Sequence, residues 1–139
     1  MNQKIMDYIE LNCIPIGSRA FRLHTEDSDF DFVMPKSKSD NLIKLLEKDK
    51  NFNLTIEDEY DVQCNNTPME NLAVLRFDMN NAKYEILIYE YDQYLCYIQI
   101  NSLMRKILLD PINFNKLLDK ERRINVYNNL MKAVFALNK

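Results

Sequence analysis

Residues 17–34 read GSRAFRLHTEDSDFDFVM, and the second half of this stretch alternates. Polar Asp29 and Asp31 are interleaved with apolar Phe30, Phe32 and Met34. A two-residue period is the period of a β-strand. The pattern therefore predicts a strand over 29–34, with Phe30, Phe32 and Met34 anchored in the core and both carboxylates leaving the opposite face. Two carboxylates on one face, roughly 6–7 Å apart along the backbone, can bracket a divalent cation. Without a cation they repel each other, which is itself a reason to expect one.

The other end of the stretch is a glycine. Gly17 is the single glycine of a 139-residue chain, where average usage of about 7 % gives roughly ten. It follows the short apolar run Cys13 to Ile16, which reads as a buried strand feeding a turn, and it precedes a short helical turn and loop over 18–24. A glycine kept at one place implies a positive φ or the close approach of another group. Backbone N–H groups at such a strand-to-helix junction can bind phosphate, and the Ser18 hydroxyl can donate to a phosphate oxygen. A phosphate cradle beside two metal-binding carboxylates is the equipment of phosphoryl transfer.

Working outward, Ile5, Met6 and Ile9 predict an amphipathic helix over residues 3–11. Pro35 closes the acidic strand, and Ser39 offers an N-cap to a helix over 41–49 with Leu42, Ile43, Leu45 and Leu46 on one face. Strand-like runs follow at 52–57, 60–64, 71–79 and 83–90, with turns at Asn65-Asn66-Thr67-Pro68 and Asn80-Asn81. The remainder reads as helix over 95–109, ending before Asp110-Pro111, then 113–118 and 121–137. The order predicts one domain over residues 1–139 of the α+β class, α/β-like, with helices packed on one face of a mixed sheet. Its core spans about 1–92 and a helical tail about 93–139.

Composition excludes several classes. The net charge of −3 provides no global basic field for nucleic acid. Three dispersed cysteines and one histidine argue against a disulfide framework or a zinc site. No apolar run approaches the roughly 20 residues that span a bilayer. The N-terminus lacks a signal peptide's apolar stretch. A cytoplasmic protein without membrane association is expected. Asp27, Asp29 and Asp31 alternate like the start of a calcium-binding EF-hand loop, but Phe32 and Lys38 stand where that loop needs Gly and Glu.

Gly17-Ser18, ten residues, then Asp29-x-Asp31 resembles the signature of the DNA polymerase β-type nucleotidyltransferase superfamily, and in particular its minimal members. The wording Gly17-Ser18-Arg19-Ala20 and Asp27-Ser28-Asp29-Phe30-Asp31-Phe32 is similar to theirs. The resemblance implies a nucleotidyltransferase fold and Mg²⁺-dependent transfer of a nucleoside monophosphate from an NTP, ATP being favoured, with Mn²⁺ as a substitute ion. It implies catalytic and metal-binding roles for Asp29, Asp31 and a third carboxylate on a later strand. Glu85, within Lys83-Tyr84-Glu85-Ile86-Leu87-Ile88-Tyr89, is the candidate, and Asp78 and Glu90 are its rivals. Gly17, Ser18 and Arg19 are the expected nucleotide-binding residues. Arg22 stands where minimal members often carry glycine.

Arg19, Arg22, Lys36 and Lys38 flank the motif and can meet phosphate or an acidic acceptor. His24, the tyrosines of 84–97 and Glu121-Arg122-Arg123 read as surface, packing and a solvated helix start. The resemblance leaves the acceptor open. A partner protein such as a HEPN-type toxin, or a second copy of the chain, is favoured over nucleic acid. RNA-end chemistry would draw on Arg19, Arg22, Lys36, Lys38, Arg105 and Lys106. A degenerate fold that binds without turnover is the non-enzymatic alternative.

Overall fold

The computed structural model describes residues 2–58 and 73–137. Among these residues five strands form one mixed sheet: β1 (Ile14–Ile16), β2 (Phe30–Pro35), β3 (Thr55–Asp58), β4 (Ala73–Met79) and β5 (Ala82–Tyr89), in the spatial order β1-β2-β5-β4-β3. The pair β2·β5 is parallel and the other three pairs are antiparallel. The helices are α1 (Asn2–Asn12), α2 (Gly17–Ala20), α3 (Ser39–Glu47), α4 (Tyr91–Leu108), α5 (Pro111–Lys116) and α6 (Lys120–Leu137). The fold is α+β, as the order of elements predicts.

Boundaries differ from expectation where local chemistry intervenes. Pro35 is the last residue of β2 rather than a stop after it, and Ser39 lies inside α3, its hydroxyl donating to the Lys36 carbonyl at 2.8 Å. The run expected at 52–57 is split: residues 50–52 form a 3₁₀ turn and Asn53 takes φ 51°, so β3 begins at Thr55. Asp110 caps α5 by accepting from the Ile112 amide at 2.9 Å, with Pro111 in the first turn, which sets that helix two residues early. The run at 60–64 and the turn Asn65-Asn66-Thr67-Pro68 lie outside the described residues.

The helices cover both faces of the sheet, not one. Phe30, Phe32, Met34, Leu75, Phe77, Tyr84, Ile86 and Ile88 form one core with Ile5 and Ile9 of α1 and Leu42 and Leu46 of α3. Tyr84 stacks on Phe30 and Phe77 at centroid distances of 4.7 and 5.1 Å. On the opposite face Val33, Val74, Leu87 and Tyr89 pack against Tyr97 and Ile100 of α4 and Met131, Val134 and Phe135 of α6. The second core exists because the carboxylate face turns apolar after Asp31 and Glu85, and that surface needs cover. The expected tail is thus integral to the fold. Asn101, 1 % exposed, ties the layers together: its amide donates to the Pro15 carbonyl at 2.8 Å, and it accepts from the Tyr127 hydroxyl at 3.2 Å. No helix among the described residues is long and apolar enough to cross a membrane.

Candidate functional site

Because β2 and β5 run parallel, their beginnings share one end of the sheet, and the register sets Asp31 directly beside Glu85. Asp29, expected as the first residue of that strand, instead lies in the loop just before β2 begins at Phe30 and borders the same cavity as Asp31 and Glu85. Burial, then the charges of Glu85 and Asp29, push the Asp31 pKa up to about 6, and Lys120 acts in the opposite direction. Asp29, Asp31 and Glu85 line one cavity of about 620 Å³ together with Gly17 and Ser18.

The acids do not close on a single point. Among the described residues no three His, Cys, Asp or Glu side chains are gathered as a metal-binding group. One oxygen of Glu85 is engaged elsewhere: Oε2 accepts from Arg76 Nε at 3.0 Å, while Arg76 Nη1 reaches Glu57 Oε1 at 2.8 Å. Arg76 is the β4 register partner of Glu85 and the β3·β4 partner of Thr55, so it bridges three neighbouring strands.

Gly17 satisfies both of the reasons for which a glycine is retained. Its φ is +72°, and a Cβ there would stand 2.9 Å from Asp31 Oδ2. The antiparallel pairing of Ile16 with Asp31 brings the turn to this place. Arg22 holds φ 59°, so it keeps a glycine-like backbone with a full side chain. The turn is closed by the Leu23 amide donating to the Ser18 carbonyl at 2.9 Å.

Arg19 is not among the residues lining the cavity. Its Nε and Nη2 donate to the Ser28 carbonyl at 3.0 and 2.9 Å, Nη2 also reaches the Glu26 carbonyl at 3.3 Å, and its guanidinium lies 3.8 Å over the Phe30 ring. It pins the loop that delivers Asp29.

The remaining candidates fall elsewhere. Asp78 accepts from Asn53 Nδ2 at 3.0 Å in an adjoining cavity of about 300 Å³ that Asp29 and Glu85 also border. Glu90 is exposed before α4, and Lys36 and Lys38 follow the far end of β2. His24 is exposed. Tyr84 belongs to the aromatic stack, and Tyr97 donates to the Tyr89 hydroxyl at 3.1 Å inside the second core.

Sequence reasoning missed the part of the wall that α6 supplies. Lys120, Arg123, Ile124 and Tyr127 of α6 line the same cavity. The signal was there: positions 120, 123, 124, 127 and 131 recur at helical spacing, so Lys120 and Arg123 continue the apolar stripe rather than the solvated face. Arg123 is half-buried, donates from Nη1 to the Leu117 carbonyl at 3.2 Å, and has its pKa lowered by burial against the opposing charge of Asp119. Comparison of the chain with protein-family models, curated proteins and solved structures finds no match.

Proposed function

We propose that this chain transfers a nucleoside monophosphate from an NTP, ATP being favoured, to an acceptor hydroxyl and releases pyrophosphate with the help of Mg²⁺. The observation that carries the proposal is the meeting of Asp29, Asp31 and Glu85 with the Gly17–Ser18 turn around one cavity. The three carboxylates on one cavity wall suit a divalent cation once drawn together on it, since burial and then like charge, partly offset by Lys120, hold the Asp31 carboxyl up near 6 and a cation would relieve that charge. Asp29 and Asp31 would hold it, with Glu85 contributing the oxygen that Arg76 leaves available. When bound, the cation neutralises phosphate charge and polarises the α-phosphorus.

The chain's own groups do the rest. The Gly17 turn presents backbone N–H groups and the Ser18 hydroxyl to the phosphates. The acceptor oxygen forms a bond to the α-phosphorus as the bond from that phosphorus to the bridging oxygen of pyrophosphate breaks. The acceptor's proton passes to Glu85 and from there to solvent. Arg19 keeps Asp29 in place through the Ser28 and Glu26 carbonyls.

Incubation of the purified protein with Mg²⁺ and each α-labelled NTP, with mass spectrometry for adducts on the chain and on co-purifying proteins, tests the proposal. Label transfer that disappears in Asp29→Asn and Asp31→Asn is expected; transfer retained in both rejects it. The Arg76–Glu85 contact favours a second reading, a module that binds nucleotide without turnover. Calorimetric binding of NTP with no pyrophosphate released would select it.

A further inference from the structure

The substrate proposed above is a polyanion, yet the cavity is acid-rich. Asp27, Asp29, Asp31 and Glu85 line it, and among the described residues only Lys120 and Arg123 bring positive charge to its wall. Arg19, the cation nearest in sequence, is held by two backbone carbonyls and a phenyl ring. Lys120 is exposed, makes no ion pair among the described residues, and its charge reaches Asp31. Arg123 stands one helical turn further on, half-buried at the same wall. One helix start therefore brings two cations to the wall of the cavity that the glycine turn also lines.

We infer that Lys120 and Arg123 of α6 form a clamp for the outer phosphates of the nucleotide, making this site selective for triphosphates over monophosphates. The inference rests on the nucleotidyltransferase proposal and deepens it. A divalent cation offsets the acids at the inner end of the polyphosphate. Among the described residues of the cavity wall, these two side chains and the Gly17–Ser18 turn are what can meet the charge on the outer phosphates. Arg can offer a paired N–H fork to phosphate oxygens, and Lys a mobile point charge.

The test is calorimetric binding, in Mg²⁺, of α,β-methylene-ATP and of AMP to the intact chain and to Lys120→Gln, Arg123→Lys, Arg123→Gln and Arg122→Gln. Arg122 is two-thirds exposed and does not line the cavity, so it is the control. Lys120→Gln and Arg123→Gln are expected to weaken the triphosphate analogue by about tenfold or more while AMP stays within about twofold. Arg123→Lys should retain part of the affinity, and Arg122→Gln all of it. Melting curves show whether each variant is folded; Lys120 is exposed, so its substitution decides the matter even if Arg123→Gln unfolds. Unchanged affinity for the analogue in Lys120→Gln and Arg123→Lys overturns the clamp alone. A wild-type protein that binds neither ligand overturns the parent proposal as well.

Discussion

Asp31 is a partly buried carboxyl with Glu85 beside it on the next strand and Asp29 two residues before it, and burial first and those charges second raise its pKa to about 6. A carboxyl whose folded pKa lies above its unfolded value of about 3.9 stabilises the fold in its protonated form. That contribution is complete below about pH 4 and is lost as pH rises through about 6. Without divalent cations, Asp31→Asn should therefore stabilise the protein at pH 7.5, by about 1–2 kcal/mol after discounting for solvent screening. The gain should vanish at pH 4, and the proposed nucleotidyl transfer, assayed separately with Mg²⁺, should be lost at every pH. Melting curves at the two pH values check this; a destabilised variant at pH 7.5 contradicts it. At Gly17 the opposite holds. Alanine must adopt φ +72° and displace the Asp31 carboxylate, so Gly17→Ala should lower stability by about 1–2 kcal/mol and reduce transfer by about tenfold or more. Gly17, Asp29 and Asp31 were legible in the sequence because each breaks or obeys a short-range rule: a lone glycine, a period of two. Lys120 and Arg123 were legible only as part of the apolar stripe of α6; that this stripe meets a cavity nearly a hundred residues away in sequence is a tertiary fact no local pattern carries.

At the scale of elements, the Arg76 bridge links β3, β4 and β5 through Glu57 and Glu85. The side chains are 30 %, 49 % and 28 % exposed, so the bridge contributes under about 1 kcal/mol per pair to stability. Its greater consequence is for Glu85. Arg76→Gln should leave the melting temperature nearly unchanged and tighten Mn²⁺ binding by about threefold or more, since one unit charge is removed near the acids and Glu85 regains its second oxygen. The double variant Arg76→Gln/Glu85→Gln separates the two causes: it should exceed Glu85→Gln alone by less than Arg76→Gln exceeds the wild type, whereas an equal gain in both backgrounds would mean that only the through-space charge matters. Element types were largely legible from periodicity, including the face assignment of Phe30, Phe32 and Met34. Element ends were less so. Asn53 in the left-handed region and the Asp110 cap act over one or two residues and outweigh an apolar pattern that spans them.

For the whole molecule, the parallel β2·β5 pair decides where the acids lie, and the C-terminal helices decide what faces them. The sequence order of strands and helices indicated the α+β class, but the covering of both faces was hidden, since the apolar residues of the carboxylate face begin only after Asp31 and Glu85. Asn101 is the fastening between these parts. Asn101→Ala takes the amide from the Pro15 carbonyl, two residues before Gly17, and the acceptor from the Tyr127 hydroxyl on α6. It should reduce stability by about 2–3 kcal/mol, measured by denaturant unfolding, and loosen the glycine turn with it. An unfolding midpoint like that of the wild type would show that this buried junction is not what holds the helices to the sheet. The most direct measurement of all is a Mn²⁺ titration by electron paramagnetic resonance, in the presence of α,β-methylene-ATP, of the wild type and of Asp29→Asn, Asp31→Asn and Glu85→Gln. Binding that weakens about tenfold or more in both Asp variants, and measurably in Glu85→Gln, is expected. Wild-type affinity that none of the three substitutions alters would contradict a metal-nucleotide site at the start of β2 and β5.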